Sequence, residues 1–271
     1  MPSIYIVSAG RPHCETARTL SKIGCDGFSI VVSDGDVLLE DYVSEWGDGV
    51  RTYSYRESMA GTDMMDGFDD PIGGAAPARN GVLDLAAASG EKRFWMLDDD
   101  LTAFTLPKKP PSRSRKTVKD WGELAEAMNR IDGWATAASL PVVGGVVDMQ
   151  GFPPEPWKTN PYVRQAYSID PSYGVRFRSR MEEDLAFSCD LLRTGGRPIG
   201  LCLLGFRTKG VCEDAGGCTT IYEKNGTVRR AAYNVLACPT TRVKCDKFGY
   251  SGFPRWKLLT PKIVSSRWKR G

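Results

Sequence analysis

The sequence predicts an α/β protein: a mostly parallel sheet flanked by helices, followed by a basic C-terminal extension. Three observations carry that expectation. Short apolar runs with strand character alternate with helix-like stretches, two of which close at glycine. Three of the runs stop at polar residues, namely Ser8 to Arg11, Asp34 to Asp36 and Asp98 to Asp100, and ligands of parallel sheets bind beyond such strand ends. From residue 240 onward periodicity fades, and nine Lys and Arg stand against one acid, Asp246.

In chain order, Ile4–Val7 is a short buried strand that breaks at Ser8-Ala9-Gly10. Residues 13–23 follow as a helix, and Phe28–Val32 as a second buried strand leading into Ser33-Asp34-Gly35-Asp36. Val50–Tyr55 is a candidate third strand. Residues 75–89 are alanine-rich and stop at Gly90, as a helix does. Arg93–Leu97 is a strand that runs directly into three aspartates. Residues 107–119 are rich in Pro, Ser, Lys and Arg and read as a mobile loop. A helix is expected over Trp121–Ile131, strands over 139–152 and 162–169, a helix over 181–195 and a strand over Leu201–Phe206. The resulting division is 1–106, a first half; 107–120, a basic loop; 121–239, a second half; and 240–271, a basic aromatic tail, all within one unit.

Composition narrows the function. A chain of 271 residues with 41% hydrophobic and 25% charged residues can bury a full core, and no apolar run is long enough to span a bilayer. A cytoplasmic protein is the expectation, with its eight cysteines as buried thiols. Cys212, Cys218, Cys238 and Cys245 could gather around zinc, although their spacing is not that of a common zinc module. The single histidine, His13, excludes sites that need several imidazoles. Residues 26–70 carry only two basic residues, Arg51 and Arg56, whereas Lys108–Lys119 carries six and no acid. Basic stretches interleaved with Tyr250, Phe253, Trp256 and Trp268 suit a polyanion such as nucleic acid. A solvated face would look similar in charge alone.

The chemistry concentrates in two acidic motifs. Asp98-Asp99-Asp100 after a buried strand offers hard oxygen ligands, and one or two carboxylates plus substrate phosphates hold Mg²⁺ or Mn²⁺. A purely structural turn is the plain alternative, but three unbalanced carboxylates repel one another and raise their own pKa values. Glu182-Glu183-Asp184 opens a helix whose apolar face includes Leu185, Phe187, Leu191 and Leu192. Such carboxylates complement the helix dipole, and one at the edge of the apolar face could also serve as a general base. Arg79-Asn80 begins the alanine-rich helix, where an arginine makes a surface ion pair or reaches a diphosphate. Gly73-Gly74 is a weak phosphate-cradling signal, and neither a P-loop nor a dinucleotide-binding fingerprint is present.

Taken together, a first strand ending in SAGRP, a second ending at Asp34, PARNGVLDLAAASGEKRFWMLDDD and EEDLAFSCDLLRTGGRP resemble GT-A glycosyltransferases over roughly residues 4–200. With the basic aromatic tail, the chain looks most like phage-type TET-associated DNA glycosyltransferases. That resemblance implies sugar transfer from a nucleotide-sugar, such as a UDP-sugar, to hydroxymethylated pyrimidines such as 5-hydroxymethylcytosine in DNA. It also implies the cytoplasm of a host cell if the chain is phage-encoded. Ser8, Ala9 and Arg11 would then line the nucleotide pocket, with Asp34 or Asp36 on the base or ribose. Arg79 would approach the diphosphate, Asp98 and Asp99 the donor, and Asp98 and Asp100 the Mn²⁺ or Mg²⁺ ion. Asp184, or alternatively Glu183, would be the base. DNA would be met by Arg113, Arg115 and Lys116 in the loop and by Lys244, Lys247, Arg255, Lys257, Arg267, Lys269 and Arg270 in the tail. One departure stands out: many GT-A enzymes add a late histidine to the metal, and this chain has none after His13. The competing readings are a glycosyltransferase with a protein, lipid or polysaccharide acceptor, a nucleotidyltransferase, and a non-catalytic nucleic-acid-binding module.

Overall fold

The computed structural model describes residues 1–65, 74–108, 114–147, 157–159, 163–208, 221 and 232–238. The first half follows the sequence closely. Strand β1 (Ile4–Val7), helix α1 (Glu15–Lys22), strand β2 (Phe28–Ser33), helix α2 (Leu39–Trp46), strand β3 (Val50–Tyr53) and helix α3 (Tyr55–Ala60) come first. Helix α4 (Ala76–Ala88) and strand β4 (Phe94–Asp98) complete it. Strand β3 is shorter than expected because Ser54 caps α3, its hydroxyl accepting from the Glu57 amide at 3.4 Å. Helix α4 and the helix Glu183–Arg193 stop where glycine was expected to stop them: Gly90 and Gly195 lie at φ 71° and 87°, which side chains rarely adopt.

The second half is less regular. Strands β5 (Leu101–Pro107) and β6 (Arg115–Thr117) precede helix α5 (Trp121–Ala137), strand β7 (Val142–Val147), strand β8 (Trp157–Thr159) and strand β9 (Ala166–Ile169). Helix α6 (Glu183–Arg193) and strand β10 (Ile199–Thr208) follow, and a short helical stretch spans 232–237. The C-terminal part of the segment expected to be a loop is therefore strand β6, paired with β5 through Thr105 and Thr117.

One ten-stranded sheet, in the order β3-β2-β1-β4-β9-β7-β10-β5-β6 with β8 beside β10, unites both halves. The expectation of a mostly parallel sheet is corrected. β1 pairs in parallel with β2 and β4, β2 with β3, and β7 with β10. The pairs β4–β9, β7–β9, β5–β10, β5–β6 and β8–β10 are antiparallel, so antiparallel pairs are the more numerous among the described residues. The reason lies in the connections. Parallel neighbours need a crossover of a dozen or more residues, whereas only Asp99 and Asp100 separate β4 from β5. β4 therefore reverses at the aspartates, and β5 pairs with β10 at the far side of the sheet instead of joining β4.

Apolar residues cover both faces. Ile6, Leu20, Ile30, Tyr42, Trp95, Leu97, Met128 and Phe206 share one core. Tyr5, Val31, Val82, Met96, Tyr167, Phe177 and Phe187 share the other. With helices on both sides, β1, β2 and β4 are free of polar demands except at their ends, where the chemistry sits.

Candidate active site

Parallel pairing of β2, β1 and β4 brings Ser8, Asp34 and Asp98 to one edge of the sheet. The aspartate turn is then sewn to the start of α1. The Thr16 amide donates to the Asp99 carbonyl at 3.0 Å, and the Thr16 hydroxyl donates to the Asp98 carbonyl at 2.5 Å. The same hydroxyl accepts from the Leu101 amide at 2.8 Å. On the other side the Asp98 amide donates to the Gln165 carbonyl at 2.8 Å. The backbone of the turn is thus fixed independently of its side chains.

Each aspartate goes to a different network. Asp99 is buried, and Arg11 donates to it at 2.8 Å while the Ser8 hydroxyl donates at 2.7 Å. The Tyr42 hydroxyl lies 2.7 Å from the Ser8 hydroxyl and accepts from the Arg11 amide at 2.7 Å. A hydroxyl has one proton, and that of Ser8 is committed to Asp99, so Tyr42 donates to Ser8. Burial pushes the Asp99 carboxyl above its ordinary range, with Arg11 and Ser8 opposing, and burial likewise raises the Tyr42 phenol. Tyr42 and Thr16 escaped the sequence reading, because each sits in an ordinary helix with nothing local to mark it.

Asp98 is partly exposed and accepts from the Arg79 guanidinium at 2.7 Å. Asp100 accepts from the Thr208 hydroxyl through one oxygen at 3.0 Å, and its other oxygen, Oδ1, is buried without a hydrogen-bond partner. Its pKa is pushed up to about 7, first by burial and then by Asp98 and Asp99. Mutual repulsion of the aspartates was anticipated, but desolvation is the larger cause.

The second acidic motif reaches the first through Arg79. This arginine is 4% exposed and donates to Glu183 at 3.0 Å, to Asp98, and to the Tyr167 hydroxyl, with its guanidinium over the Tyr167 and Phe177 rings. Burial works against its charge, yet Asp98 and Glu183 outweigh that cost and keep it protonated. Arg79 is therefore a strut between the two motifs in this structure, rather than an open diphosphate contact. Its neighbour Asn80 clamps the loop before α6, accepting from the Phe177 amide at 2.9 Å and donating to the Phe177 carbonyl at 2.8 Å. Past that clamp, Ser179 and Glu182 take positive φ values of 85° and 57°, so the chain turns sharply into α6. Glu183 is buried against Arg79, while Asp184 stays half-buried at the helix start. Gly74 packs closely under the loop that leads into α6. A Cβ there would lie 2.2 Å from the Arg180 carbonyl, so the glycine permits close packing under this same loop, while Gly73 lies outside the described residues.

The remaining expected contacts divide. Ala9 is exposed beside the site. Asp36 accepts from the Gly10 and Leu38 amides, both at 2.9 Å, and so ties the first loop to the second. Asp34 is exposed and accepts from the Tyr55 amide at 3.0 Å. Arg115 turns inward, donating to the Thr105 hydroxyl at 2.8 Å and to the Cys202 and Thr105 carbonyls at 2.6 Å. Lys116 pairs with Glu123 on the surface. Arg113, Lys244, Lys247, Arg255, Lys257, Arg267, Lys269 and Arg270 lie outside the described residues, as do Cys212, Cys218 and Cys245. Cys238 is buried with Cys189 and Leu185. Among the described residues, no group of three or more His, Cys, Asp or Glu is arranged to hold a metal. No described helix is long and apolar enough to cross a membrane.

The sequence profile of a family described as TET-associated glycosyltransferase matches residues 2–202. No curated protein matches the chain. Among solved structures, glucosyl-3-phosphoglycerate synthase from Mycobacterium tuberculosis in complex with uridine diphosphate is similar with a TM-score of 0.50 and 10% identity, covering 95% of this chain and 87% of that one. The same synthase with Mn²⁺, uridine diphosphate and glucosyl-3-phosphoglycerate gives 0.47 and 10%, over 94% and 87%. The sheet and its flanking helices are of the GT-A type.

Proposed function

We propose that this chain, which belongs to the TET-associated glycosyltransferase family, transfers a sugar from a UDP-sugar to 5-hydroxymethylcytosine in DNA. The observation that carries the reading is the joining of two acidic motifs by one buried arginine, at the strand edge where the nucleotide loops also end. One motif suits the donor's diphosphate and the other suits the acceptor hydroxyl.

A divalent cation fits the first motif on the strength of its chemistry. Asp100 has a buried oxygen without a hydrogen-bond partner, and Asp98 is a partly exposed carboxylate two residues away. Two carboxylates, with water and diphosphate oxygens, make the hard-oxygen shell that Mn²⁺ or Mg²⁺ takes. When bound, such a cation offsets the charge that grows on the departing diphosphate. The exposed Asp34 is better placed for the base or ribose than Asp36, whose two oxygens already hold backbone amides. In this reading Arg11 and Asp99 tie the first loop to the aspartate turn, and Asp98 and Asp100 take the cation.

Asp184 is the base in this reading. Glu183 is tied to Arg79, whereas Asp184 is half-buried at the start of α6, where it takes the acceptor's proton in this reading. A target base reaches such a site by leaving the stack, and phosphate contacts supply much of the energy for that. Lys116, Arg113 and the basic tail (Lys244, Lys247, Arg255, Lys257, Arg267, Lys269 and Arg270) are the DNA contacts proposed; Arg115 is left out because its donors face the sheet.

The test is mass spectrometry of nucleosides from 5-hydroxymethylcytosine DNA incubated with the protein, Mn²⁺ and a panel of UDP-sugars. A hexose or pentose increment on the modified base is expected. Transfer to a protein, lipid or polysaccharide acceptor instead would leave the glycosyltransferase standing and remove DNA. Reversing charge at Arg255, Lys257 and Lys269 together should weaken DNA binding and flatten its salt dependence while sparing UDP-sugar hydrolysis.

A further inference from the structure

Two backbone irregularities converge on Asp100. Strand β10 pairs with β5 in regular antiparallel register from Gly205–Thr105 to Arg207–Ala103. The next pair in that register would be Thr208 with Thr102. A bulge between Arg207 and Thr208 slips it by one residue, so that Thr208 pairs with Leu101, next to Asp100. Bulges of this kind re-aim a side chain, and they are common beside active sites. The second irregularity is Gln165, which stands just before β9 at φ 65° although it is not glycine. An amide-bearing residue held in that region is costly and persists only where surrounding structure insists on it.

The side chains show what the irregularities achieve. Gln165 Nε2 donates to the Thr208 hydroxyl at 3.3 Å, and that hydroxyl donates to Asp100 Oδ2 at 3.0 Å. The direction is settled by chemistry, since a carboxylate accepts and the threonine has one proton. The Gln165 carbonyl meanwhile receives the Asp98 amide, so one strained residue is tied to both outer aspartates. The chain of donors occupies Oδ2 and leaves the buried Oδ1 of the same carboxylate as the oxygen with no hydrogen-bond partner.

We propose that Thr208 and Gln165 are positioning residues that orient Asp100 so that Oδ1 faces the divalent cation. The proposal rests on the metal reading above. It also bears on the missing late histidine: in this chain the last described strand contributes a hydroxyl that steers a ligand. Partners of this kind behind a ligating carboxylate typically alter metal affinity by about tenfold to a hundredfold.

The experiment is a titration of the full chain with Mn²⁺ in the presence of UDP, with free Mn²⁺ read by electron paramagnetic resonance. UDP binding without metal and thermal unfolding are measured beside it. Thr208→Val removes the proton and keeps the shape, and should weaken Mn²⁺ binding about tenfold or more. Thr208→Ser keeps the hydroxyl and should restore most of the affinity. Gln165→Met, which removes the donor behind the hydroxyl, should weaken Mn²⁺ by a smaller factor. Metal-free UDP binding should be unchanged in all three. Wild-type affinity in both Thr208→Val and Gln165→Met would overturn the positioning role and leave the metal reading intact. Absence of Mn²⁺ binding by the wild-type chain would overturn the metal reading and the proposal with it. A loss in Thr208→Val that serine does not rescue would also overturn it, since the hydroxyl would then not be the active feature.

Discussion

The two acidic motifs joined by Arg79 are built on opposite kinds of backbone. Asp98–Asp100 occupies a tight reversal between strands, where successive side chains diverge and three different elements capture them: α4 through Arg79, the β1 loop through Arg11 and Ser8, and β10 through Thr208. Glu183 and Asp184 sit in the first turn of one helix, where consecutive residues lie about 100° apart. One therefore turns inward to Arg79 while the next remains half-buried. The lesson is the same in both. In each motif an arginine pairs with a buried carboxylate, Asp99 with Arg11 and Glu183 with Arg79, while Asp98 and Asp184 keep partial exposure. Packing thus gives neighbouring carboxylates of one run different surroundings.

That comparison can be broken most directly at the strut. Arg79→Leu leaves Asp98 and Glu183 without their buried partner and should cost about 3–5 kcal/mol, read as a lowered urea midpoint. A loss below about 1 kcal/mol would mean that the two motifs do not depend on each other.

Asp100→Ala comes next. If this carboxylate holds the cation, transfer should fall by roughly a hundredfold to a thousandfold, a cost of about 2.7–4 kcal/mol in the barrier. Chelation of the wild type should reproduce that loss and Mn²⁺ should reverse it. Full activity in excess chelator would reassign Asp100 to structure.

Asp184→Asn sharpens the division within the helix motif. It keeps shape and hydrogen bonding, so UDP binding should survive while transfer drops by about a hundredfold. Glu183→Gln should act mainly on stability, because its role is to balance Arg79. If the kinetic losses were reversed between the two variants, Glu183 would be the base.

Tyr42→Phe gives the smallest expected effect. It removes the donor to Ser8 and the acceptor for the Arg11 amide, at a cost of about 1 kcal/mol per lost bond. Stability should fall slightly and KM for the donor should rise, with kcat little changed. A large fall in kcat instead would show that the first loop shapes the reacting centre.

The sequence alone determined the local pieces: β1, β2, β4 and helices α1, α4 and α6, each with its stop, because apolar periodicity and glycine chemistry are written in neighbouring residues. It also determined that polar groups would collect at the ends of β1, β2 and β4. It did not reveal α2, whose Tyr42 anchors the first loop, nor β5, which leaves β4 after two residues and pairs across the sheet. Nor did it show that Arg79 faces inward, that Asp99 is buried against Arg11 and Ser8, or that a one-residue slip brings Thr208 to Asp100. Those are decided by partners up to 108 residues apart in the chain. A side chain's own neighbours set whether its segment is helix or strand, but its direction and charge depend on what packs against it, and only the assembled sheet supplies that.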